Sequence, residues 1–109
     1  MVVIVFRSRL RAGIDEAALI ALGERMYALA SAMPGFLSYK DFASQDGEIV
    51  TLVEFESPEA LAAWRDHPEH LEAQRRGREE FFAEYAIQVC TPQRAYAFDT
   101  ARGRRAVPC

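Results

Sequence analysis

Two segments of this chain are apolar on both faces of the strand that each would form. Val2 to Phe6 is an unbroken apolar run, and Ile49 to Phe55 has apolar residues at odd and even positions alike. Because successive side chains of a strand point to opposite faces, both faces of this sheet need a cover. One layer of helices covers one face. The simplest cover for the other is the same face of a second copy, so the pattern predicts a homodimer with sheet packed on sheet.

A helix and a hairpin follow the first strand. Asp15 is a suitable N-cap for a helix whose apolar residues recur at steps of three and four, and Pro34-Gly35 stops that helix. Asp46-Gly47 is a hairpin-turn signal between two strand patterns. The sequence therefore predicts strands over residues 2–9, 36–44 and 48–56, and a helix over residues 15–33.

The second half begins with a strong helix start. Ser57 can act as the N-cap, and Pro58 suits the first helical position. Pro68 disfavours a helical conformation for His67, so we expect a kink or restart there and a second helical segment to about Glu84. A fourth strand is predicted over residues 85–98. Because proline cannot donate a ladder hydrogen bond, Pro92 indicates an edge strand or a bulge.

The resulting order of elements is βαββαβ. This order predicts an α+β, ferredoxin-like domain over residues 1–98, with a four-stranded antiparallel sheet and the helices on one face. Residues 99–109 contain Arg102, Arg104 and Arg105 among small residues, which predicts a flexible basic tail.

Composition narrows the classes of function. The chain has 109 residues, 50% of them hydrophobic and 27% charged, which is typical of one globular domain. A formal net charge of −3 disfavours nucleic-acid binding, and no apolar run is long enough to cross a membrane. Cys90 and Cys109 do not form a disulfide framework, and no signal segment is evident, so we expect a cytoplasmic protein.

The order of elements, together with several short motifs, resembles the antibiotic biosynthesis monooxygenase family of small dimeric α/β barrels. The resemblance covers roughly Val2 to Phe98. The motifs that carry it are Pro34-Gly35-Phe36, the run from Phe55 to Ala60, Trp64, the run from His67 to His70, and Tyr85-Ala86-Ile87.

This resemblance implies a dimer with a pocket between each sheet and its helices. In enzymatic members an aromatic or quinol-like substrate is oxidised there by dioxygen, without flavin or metal. A heme-degrading branch shares the fold and relies on a Trp, a His and an Asn. Trp64 matches the Trp, but the other two positions fall at about Gln74 and Ser8, and the chain contains no Asn. Heme degradation is therefore disfavoured.

The candidate site residues lie mainly in the second helical region. Either histidine could be a base for a phenol-type substrate, or both could be solvated at a helix start. The single Trp could be a core anchor or a pocket wall with an indole N–H donor. The catalytic candidates are His67 and His70, and the substrate-binding candidates are Trp64, Gln74, Arg78, Tyr39, Phe81 and Tyr85.

Three functions remain open at this point. The first is a cofactor-independent monooxygenase that oxidises a quinol or polycyclic phenol. The second is a dimer of the same fold that binds a small apolar ligand without catalysis, and the third is a heme-binding protein. No phosphate-binding glycine loop or cysteine-rich metal pattern is present, so we expect no cofactor, no bound metal and no nucleic-acid or membrane partner.

Overall fold

A computed structural model describes residues 1–109. Strands β1 to β4 form one antiparallel sheet in the order β2-β3-β1-β4, with α1, α2 and α3 against one face, which confirms the predicted α+β ferredoxin-like fold. The elements in chain order are β1 (Val2–Leu10), α1 (Glu16–Ser31), β2 (Phe36–Ala43), β3 (Ile49–Phe55), α2 (Pro58–Arg65), α3 (Pro68–Arg76), a π-helical turn (Gly77–Phe81), β4 (Phe82–Cys90), β5 (Tyr96–Asp99) and β6 (Gly103–Ala106).

Local capping interactions begin α1 and α2 where the sequence predicts. The Asp15 carboxylate accepts a hydrogen bond from the Ala18 N–H at 3.0 Å, and the Ser57 hydroxyl accepts one from the Ala60 N–H at 3.1 Å. Gly35 has a φ of +84°, and a Cβ there would lie 2.7 Å from the Ala60 Cβ. The turn before β2 therefore needs glycine both for its conformation and for its close approach to α2.

The second helical region restarts at Pro68, as predicted. His67 has an extended backbone, with φ −61° and ψ 133°, and its Nδ1 accepts a hydrogen bond from the Glu69 N–H at 3.1 Å. His67 is therefore the N-cap of α3, and one of its ring nitrogens is engaged in that cap.

The prediction that this helix continues to Glu84 is wrong. Helix α3 ends at Arg76, a π-helical turn follows, and β4 begins at Phe82. The Arg11 guanidinium donates hydrogen bonds to the carbonyls of Arg78, Glu79 and Phe82, and the Arg11 N–H donates to the Phe81 carbonyl. These bonds join the turn to the end of β1, sixty to seventy residues away in sequence. The spacing of apolar residues within the helical segment carries no information about a partner as distant in sequence as Arg11.

The fourth strand and the tail also differ from expectation. Strand β4 lies at the sheet edge and ends at Cys90, before Pro92, so the edge assignment holds but the strand is shorter than predicted. Residues 99–109, expected to be a flexible tail, contain β6, which pairs with β5. The Asp99 carboxylate holds this hairpin together through Arg102 and Arg105. The radius of gyration, 15.6 Å, exceeds the ~13 Å of a compact domain of this size.

The two faces of the main sheet differ in their cover. Ile4, Val53 and Phe55 pack under the helices and are buried. The strand residues that alternate with these point to the helix-free face. There the strand register places Val5 opposite Leu52. The apolar residues that β1, β2 and β3 place on this face are Val3, Val5, Val50, Leu52 and Phe42. The Arg7–Glu48 and Arg9–Asp46 ion pairs lie at one end of the face. No helix in the structure has the length and hydrophobicity that a membrane crossing requires.

Candidate active site

A cavity of about 700 Å³ lies between the helix-covered face of the sheet and helices α1 and α3. Fifteen of its 23 lining residues are hydrophobic. A cavity of this size and lining suits a small, largely apolar ligand, held in orientation by a few polar groups. The polar side chains in its wall therefore carry most of the information about its chemistry.

Trp64 and His70 form the first polar group in the wall. Their rings stack with centroids 4.0 Å apart and an angle of 25° between the planes, and Phe55 stacks on the same indole at 5.6 Å. Trp64 is buried, and its Nε1–H has no hydrogen-bond acceptor in the protein. A buried donor without an acceptor is costly, so an oxygen atom that reached this N–H would be stabilised by it.

The surroundings of His70 select one tautomer of its ring. Its Nδ1 lies 3.2 Å from the Arg65 carbonyl oxygen and 3.3 Å from the Gln74 side-chain amide. A carbonyl can only accept, whereas an amide can turn either its oxygen or its nitrogen toward a neighbour. The Arg65 contact is satisfied when Nδ1 carries the proton, and the Gln74 contact, in which the amide Nε2 is the facing atom, is satisfied as well once the amide turns its oxygen toward Nδ1. The ring Nε2 of His70, which makes no hydrogen bond with the protein, is then the basic nitrogen.

Burial also keeps this ring neutral. It lowers the pKa of His70 from its usual 6.5, and this effect outweighs the hydrogen bond to the Arg65 carbonyl, which acts in the opposite direction. A nearby positive charge on His67 lowers the pKa further. At neutral pH the ring is therefore an unprotonated imidazole, the form that can accept a proton.

Tyr39 adds a neutral hydroxyl beside the indole. Its ring meets Trp64 edge-on with centroids 6.3 Å apart. Burial, and secondarily the charge of Asp41, raises the pKa of Tyr39 to about 12. The phenol therefore stays protonated and can donate a hydrogen bond to an anionic oxygen.

A second polar group lines the cavity on the sheet side. Ser8 and Thr51 are among the few buried polar residues of the chain, at 3% and 8% exposure. The Thr51 hydroxyl donates a hydrogen bond to the Asp41 carboxylate at 2.5 Å. Sequence reasoning did not select these three residues. Each of the three points to the same face of the sheet as a helix-facing residue of its own strand: Ser8 as Ile4, Thr51 as Val53, and Asp41 as Tyr39. This two-residue alternation is the sequence signal that indicates a place in the cavity wall.

Four of the eight predicted site residues line this cavity: Tyr39, Trp64, His70 and Gln74. The other four lie elsewhere. His67 caps α3, and Phe81 is a buried core residue under the Arg76 guanidinium. Tyr85 packs on Phe6 and Phe82, outside the cavity lining.

Arg78 is exposed and does not line the cavity. Its predicted role assumed a regular α-helix to about Glu84, but the π-helical turn begins at Gly77 and changes the direction of the following side chains. Gly77 permits this turn to pack closely, since a Cβ there would lie 2.7 Å from the Phe82 ring.

Comparison with known proteins identifies the family. The sequence profile described as "Antibiotic biosynthesis monooxygenase" matches residues 1–76, more than half of the chain. The chain belongs to the antibiotic biosynthesis monooxygenase family. A relative from Bacillus subtilis (strain 168), the uncharacterized protein YqjZ, is 36% identical over 75 residues, which are 69% of this chain and 66% of YqjZ. The aligned region thus spans just under two thirds of that relative.

Solved structures of similar proteins share the fold of this family member. Rv0793 from Mycobacterium tuberculosis is 29% identical and superposes with a TM-score of 0.73, over 84% of this chain and 93% of Rv0793. A variant of SnoaB, a cofactor-independent oxygenase from Streptomyces nogalater, is 17% identical with a TM-score of 0.73, over 86% of this chain and 94% of SnoaB. The ferredoxin-like architecture is therefore that of the antibiotic biosynthesis monooxygenase family.

The matched region contains most of the cavity wall of this family member. Residues 1–76 include β1, α1, β2, β3, α2 and α3, which carry both polar groups described above. The π-helical turn, β4 and the β5–β6 hairpin follow the matched region. No three His, Cys, Asp or Glu side chains lie close enough together to hold a metal ion.

Proposed function

We propose that this protein is a cofactor-independent monooxygenase that oxidises a quinol or a polycyclic phenol with dioxygen. The observation that carries the proposal is the pairing of His70, with Nε2 free to accept a proton, and Trp64, with a free indole N–H, in the wall of an apolar cavity. Membership of the monooxygenase family supports the same reaction class. The cavity supplies a base, a hydrogen-bond donor and an apolar enclosure, which this chemistry requires.

The proposed reaction begins with proton transfer. His70 Nε2 takes the phenolic proton, and the electron-rich phenolate gives one electron to dioxygen. The two radicals combine at a ring carbon that carries hydrogen, forming a C–O bond, and the peroxide takes the proton back from His70. Loss of the ring hydrogen as a proton then breaks the O–O bond. A carbonyl and water result, so phenol plus dioxygen gives quinone plus water.

The remaining polar groups stabilise the charge that forms in this reaction. The Trp64 N–H and the neutral Tyr39 hydroxyl can donate hydrogen bonds to the phenolate oxygen. Because the enclosure is largely apolar, these hydrogen bonds are stronger than they would be in water. Gln74 holds the His70 ring rather than the substrate, through its amide contact with Nδ1.

An oxygen electrode tests this proposal. Addition of the protein to a panel of naphthols, naphthoquinols and anthrone-type phenols is expected to start dioxygen consumption with at least one of them. Protein treated with a chelator and passed through a desalting column is expected to retain the activity, because no step uses a metal or flavin. If no member of the panel consumes dioxygen faster with the protein than without it, the monooxygenase proposal fails and non-catalytic binding of a small ligand is favoured.

The heme-binding alternative has less support at the same cavity. By the resemblance described above, the histidine of the heme-degrading branch falls at about Gln74 and its asparagine at about Ser8, and both Gln74 and Ser8 line this cavity. Amide and hydroxyl side chains are not the usual axial ligands of heme iron. His70, the only histidine in the cavity wall, has its Nδ1 engaged and lies flat against Trp64.

We further propose that the working unit is a homodimer in the cytoplasm. Two copies would bury the helix-free faces against each other, with Val5 and Leu52 near the centre of each face. The buried area should exceed ~1,000 Å², the range of stable interfaces. Cys90 and Cys109 are both free and exposed, which suits a reducing compartment.

Light scattering on the purified protein is expected to give twice the chain mass of 12.3 kDa at micromolar concentration. Leu52→Glu, which places a charge on the helix-free face, is expected to give monomers. Leu71→Glu is the matched control, because Leu71 is 48% exposed and lies on α3. A parent protein that is monomeric, or a Leu52→Glu variant that dimerises as well as the control, would contradict this assembly.

A further inference from the structure

The β5–β6 hairpin has only one hydrogen bond to the rest of the chain. The Met1 ammonium donates to the Cys109 carbonyl at 3.3 Å, and all other hydrogen bonds of the hairpin are internal. Tyr96 and Phe98 point to the same face of the hairpin, and Phe98 is 71% exposed. A two-stranded hairpin alone is marginally stable in water, so this one needs a surface to pack against.

The helix side of β4 is an exposed apolar surface. The strand register places Ile87 opposite Phe6 and Val89 opposite Ile4, so both point to the side of the sheet that carries the helices. Ile4 is buried under the helices, whereas Ile87 and Val89 are more than half exposed. The helices therefore leave β4 uncovered. Its outer edge has no neighbouring strand and contains no proline or lysine that would prevent pairing.

This uncovered strand is also a gap in the wall of the cavity. Ile87 lines the cavity, and 52% of its surface is exposed. One chain therefore leaves the cavity open to water beside β4. The chemistry proposed above depends on hydrogen bonds in an apolar enclosure, and water that enters here would weaken them. The site needs a further apolar cover on this side.

The hairpin of a second copy has the properties that such a cover requires. Within one chain the two apolar surfaces do not cover each other, because Phe98 and Ile87 are both exposed. Charge favours the contact between copies. Residues 91–109 contain four arginines and one aspartate, a formal charge of +3, whereas residues 1–90 contain nine basic and fifteen acidic side chains, a formal charge of −6. The hairpin of one copy is therefore attracted to the body of another.

The hairpin begins at the edge of the proposed dimer interface and is long enough to pass around it. Gln88 of β4 lies opposite Val5, on the helix-free face. Five residues, Thr91 to Ala95, connect β4 to β5 and span roughly 16 Å when extended. Packed sheets are about 10 Å apart. Where β4 of one chain lies over β4 of the other, each hairpin can therefore reach the helix side of the partner's β4.

We propose that the β5–β6 hairpin of each chain lies over the helix side of β4 in its partner, with Tyr96 and Phe98 against the partner's Ile87 and the partner's Val89. This inference rests on the homodimer proposed above. The contact forms twice about the two-fold axis, and it covers the exposed face of both hairpins. It also closes the open side of both cavities, so that each cavity wall contains side chains of both chains.

Disulfide cross-linking tests where the hairpin lies. The variant carries Ile87→Cys and Phe98→Cys together, with Cys90→Ser and Cys109→Ser to remove the native thiols, and diamide oxidises neighbouring pairs of thiols to disulfides. A disulfide requires Cβ atoms about 3.5–4.5 Å apart, so it forms only between residues in contact. The expected product has twice the chain mass on a non-reducing gel. Variants with only one of the two new cysteines are the matched controls and should stay at the chain mass.

The other outcomes separate this inference from the proposed homodimer. A disulfide within a single chain would show that the hairpin folds back onto its own β4, and cross-linking by Phe98→Cys alone would place the two hairpins against each other. No disulfide in a protein that light scattering shows to be dimeric would place the hairpin elsewhere. Each of these results overturns the inference and leaves the homodimer in place, whereas a monomeric parent protein would contradict both proposals.

Phe98→Glu gives a second readout that needs no cross-link. It is expected to raise the dissociation constant of the dimer by about 10- to 100-fold, the effect of removing an aromatic anchor from the centre of a contact. Leu71→Glu is the matched control and should leave the constant unchanged, because Leu71 is an exposed residue of α3. Sedimentation at several protein concentrations measures both. Equal dissociation constants for Phe98→Glu and the control would contradict the contact.

Discussion

Replacement of His70 by Gln is expected to lower the rate of oxygen consumption with an accepted phenol by about 10²- to 10⁴-fold, the usual contribution of a general base. The reason is that Nε2 of His70 is the only imidazole nitrogen in the cavity wall with a free lone pair. The rate is measured with the oxygen electrode at saturating substrate, so that weaker binding does not enter the comparison.

His67 provides the control for this experiment. His67→Ser retains a side-chain acceptor for the Glu69 N–H at the start of α3, and it removes the second imidazole. This variant is expected to keep nearly the parent rate, because His67 does not line the cavity. Equal rates for the parent protein and His70→Gln, or a loss in His67→Ser alone, would show that His70 is not the base.

The pH profile of the parent enzyme gives a second readout of the same group. Because burial lowers the pKa of His70 below 6.5, the ring stays neutral as the pH falls to that value. The rate constant kcat/KM is therefore expected to decline with decreasing pH only below 6.5, with the slope of one protonation. An acid limb centred above 6.5 would contradict this environment for the base.

Replacement of Trp64 by Ala is expected to lower the free energy of unfolding by about 3–5 kcal/mol, the usual cost of deleting a large buried aromatic side chain. The indole is 6% exposed and contacts Phe55, Tyr39 and His70, so its removal leaves a gap between the sheet and the helices. This is a large share of the ~5–15 kcal/mol stability of a typical domain. Urea denaturation followed by circular dichroism measures it.

Trp64→Phe distinguishes packing from hydrogen bonding at this position. Phenylalanine keeps an aromatic ring between Phe55 and His70 but has no N–H. The variant is expected to lose much less stability than Trp64→Ala and still to oxidise the substrate more slowly, because the donor to the phenolate is gone. Unchanged stability in Trp64→Ala would refute the buried position, and an unchanged rate in Trp64→Phe would refute the role of the N–H.

The elements predicted correctly from sequence are those that local chemistry determines. Asp15 and Ser57 accept hydrogen bonds from the first N–H groups of their helices. Pro68 disfavours a helical His67, so the helix ends before it and a new one begins at Pro68. The apolar runs from Val2 to Phe6 and from Ile49 to Phe55, and the Asp46-Gly47 turn signal, likewise predicted strands of the sheet. These signals operate within a few residues, so a single sequence contains them in full.

The elements predicted wrongly depend on contacts between distant residues. Arg11 binds carbonyls of the π-helical turn, and this turn removes Arg78 from the helix face that carries Gln74. The β5–β6 hairpin depends on Asp99 and its two arginine partners, which read as an unstructured basic segment in sequence. In the cavity, Trp64, His70 and Tyr39 could be selected because they are aromatic or rare in this chain, and Gln74 because it is a polar residue on the predicted helix, whereas Ser8, Thr51 and Asp41 are common strand residues.

Turnover under heavy-isotope dioxygen distinguishes monooxygenation from oxidation without oxygen transfer, with the product analysed by mass spectrometry immediately after quenching. A monooxygenase transfers one oxygen atom of dioxygen to the ring and releases the other as water. A monooxygenase should form a quinone that carries one labelled atom, at one molecule per dioxygen consumed, and His70→Gln should form it at a much lower rate. An unlabelled quinone accompanied by hydrogen peroxide, or labelled product formed equally fast without the protein, would contradict the account.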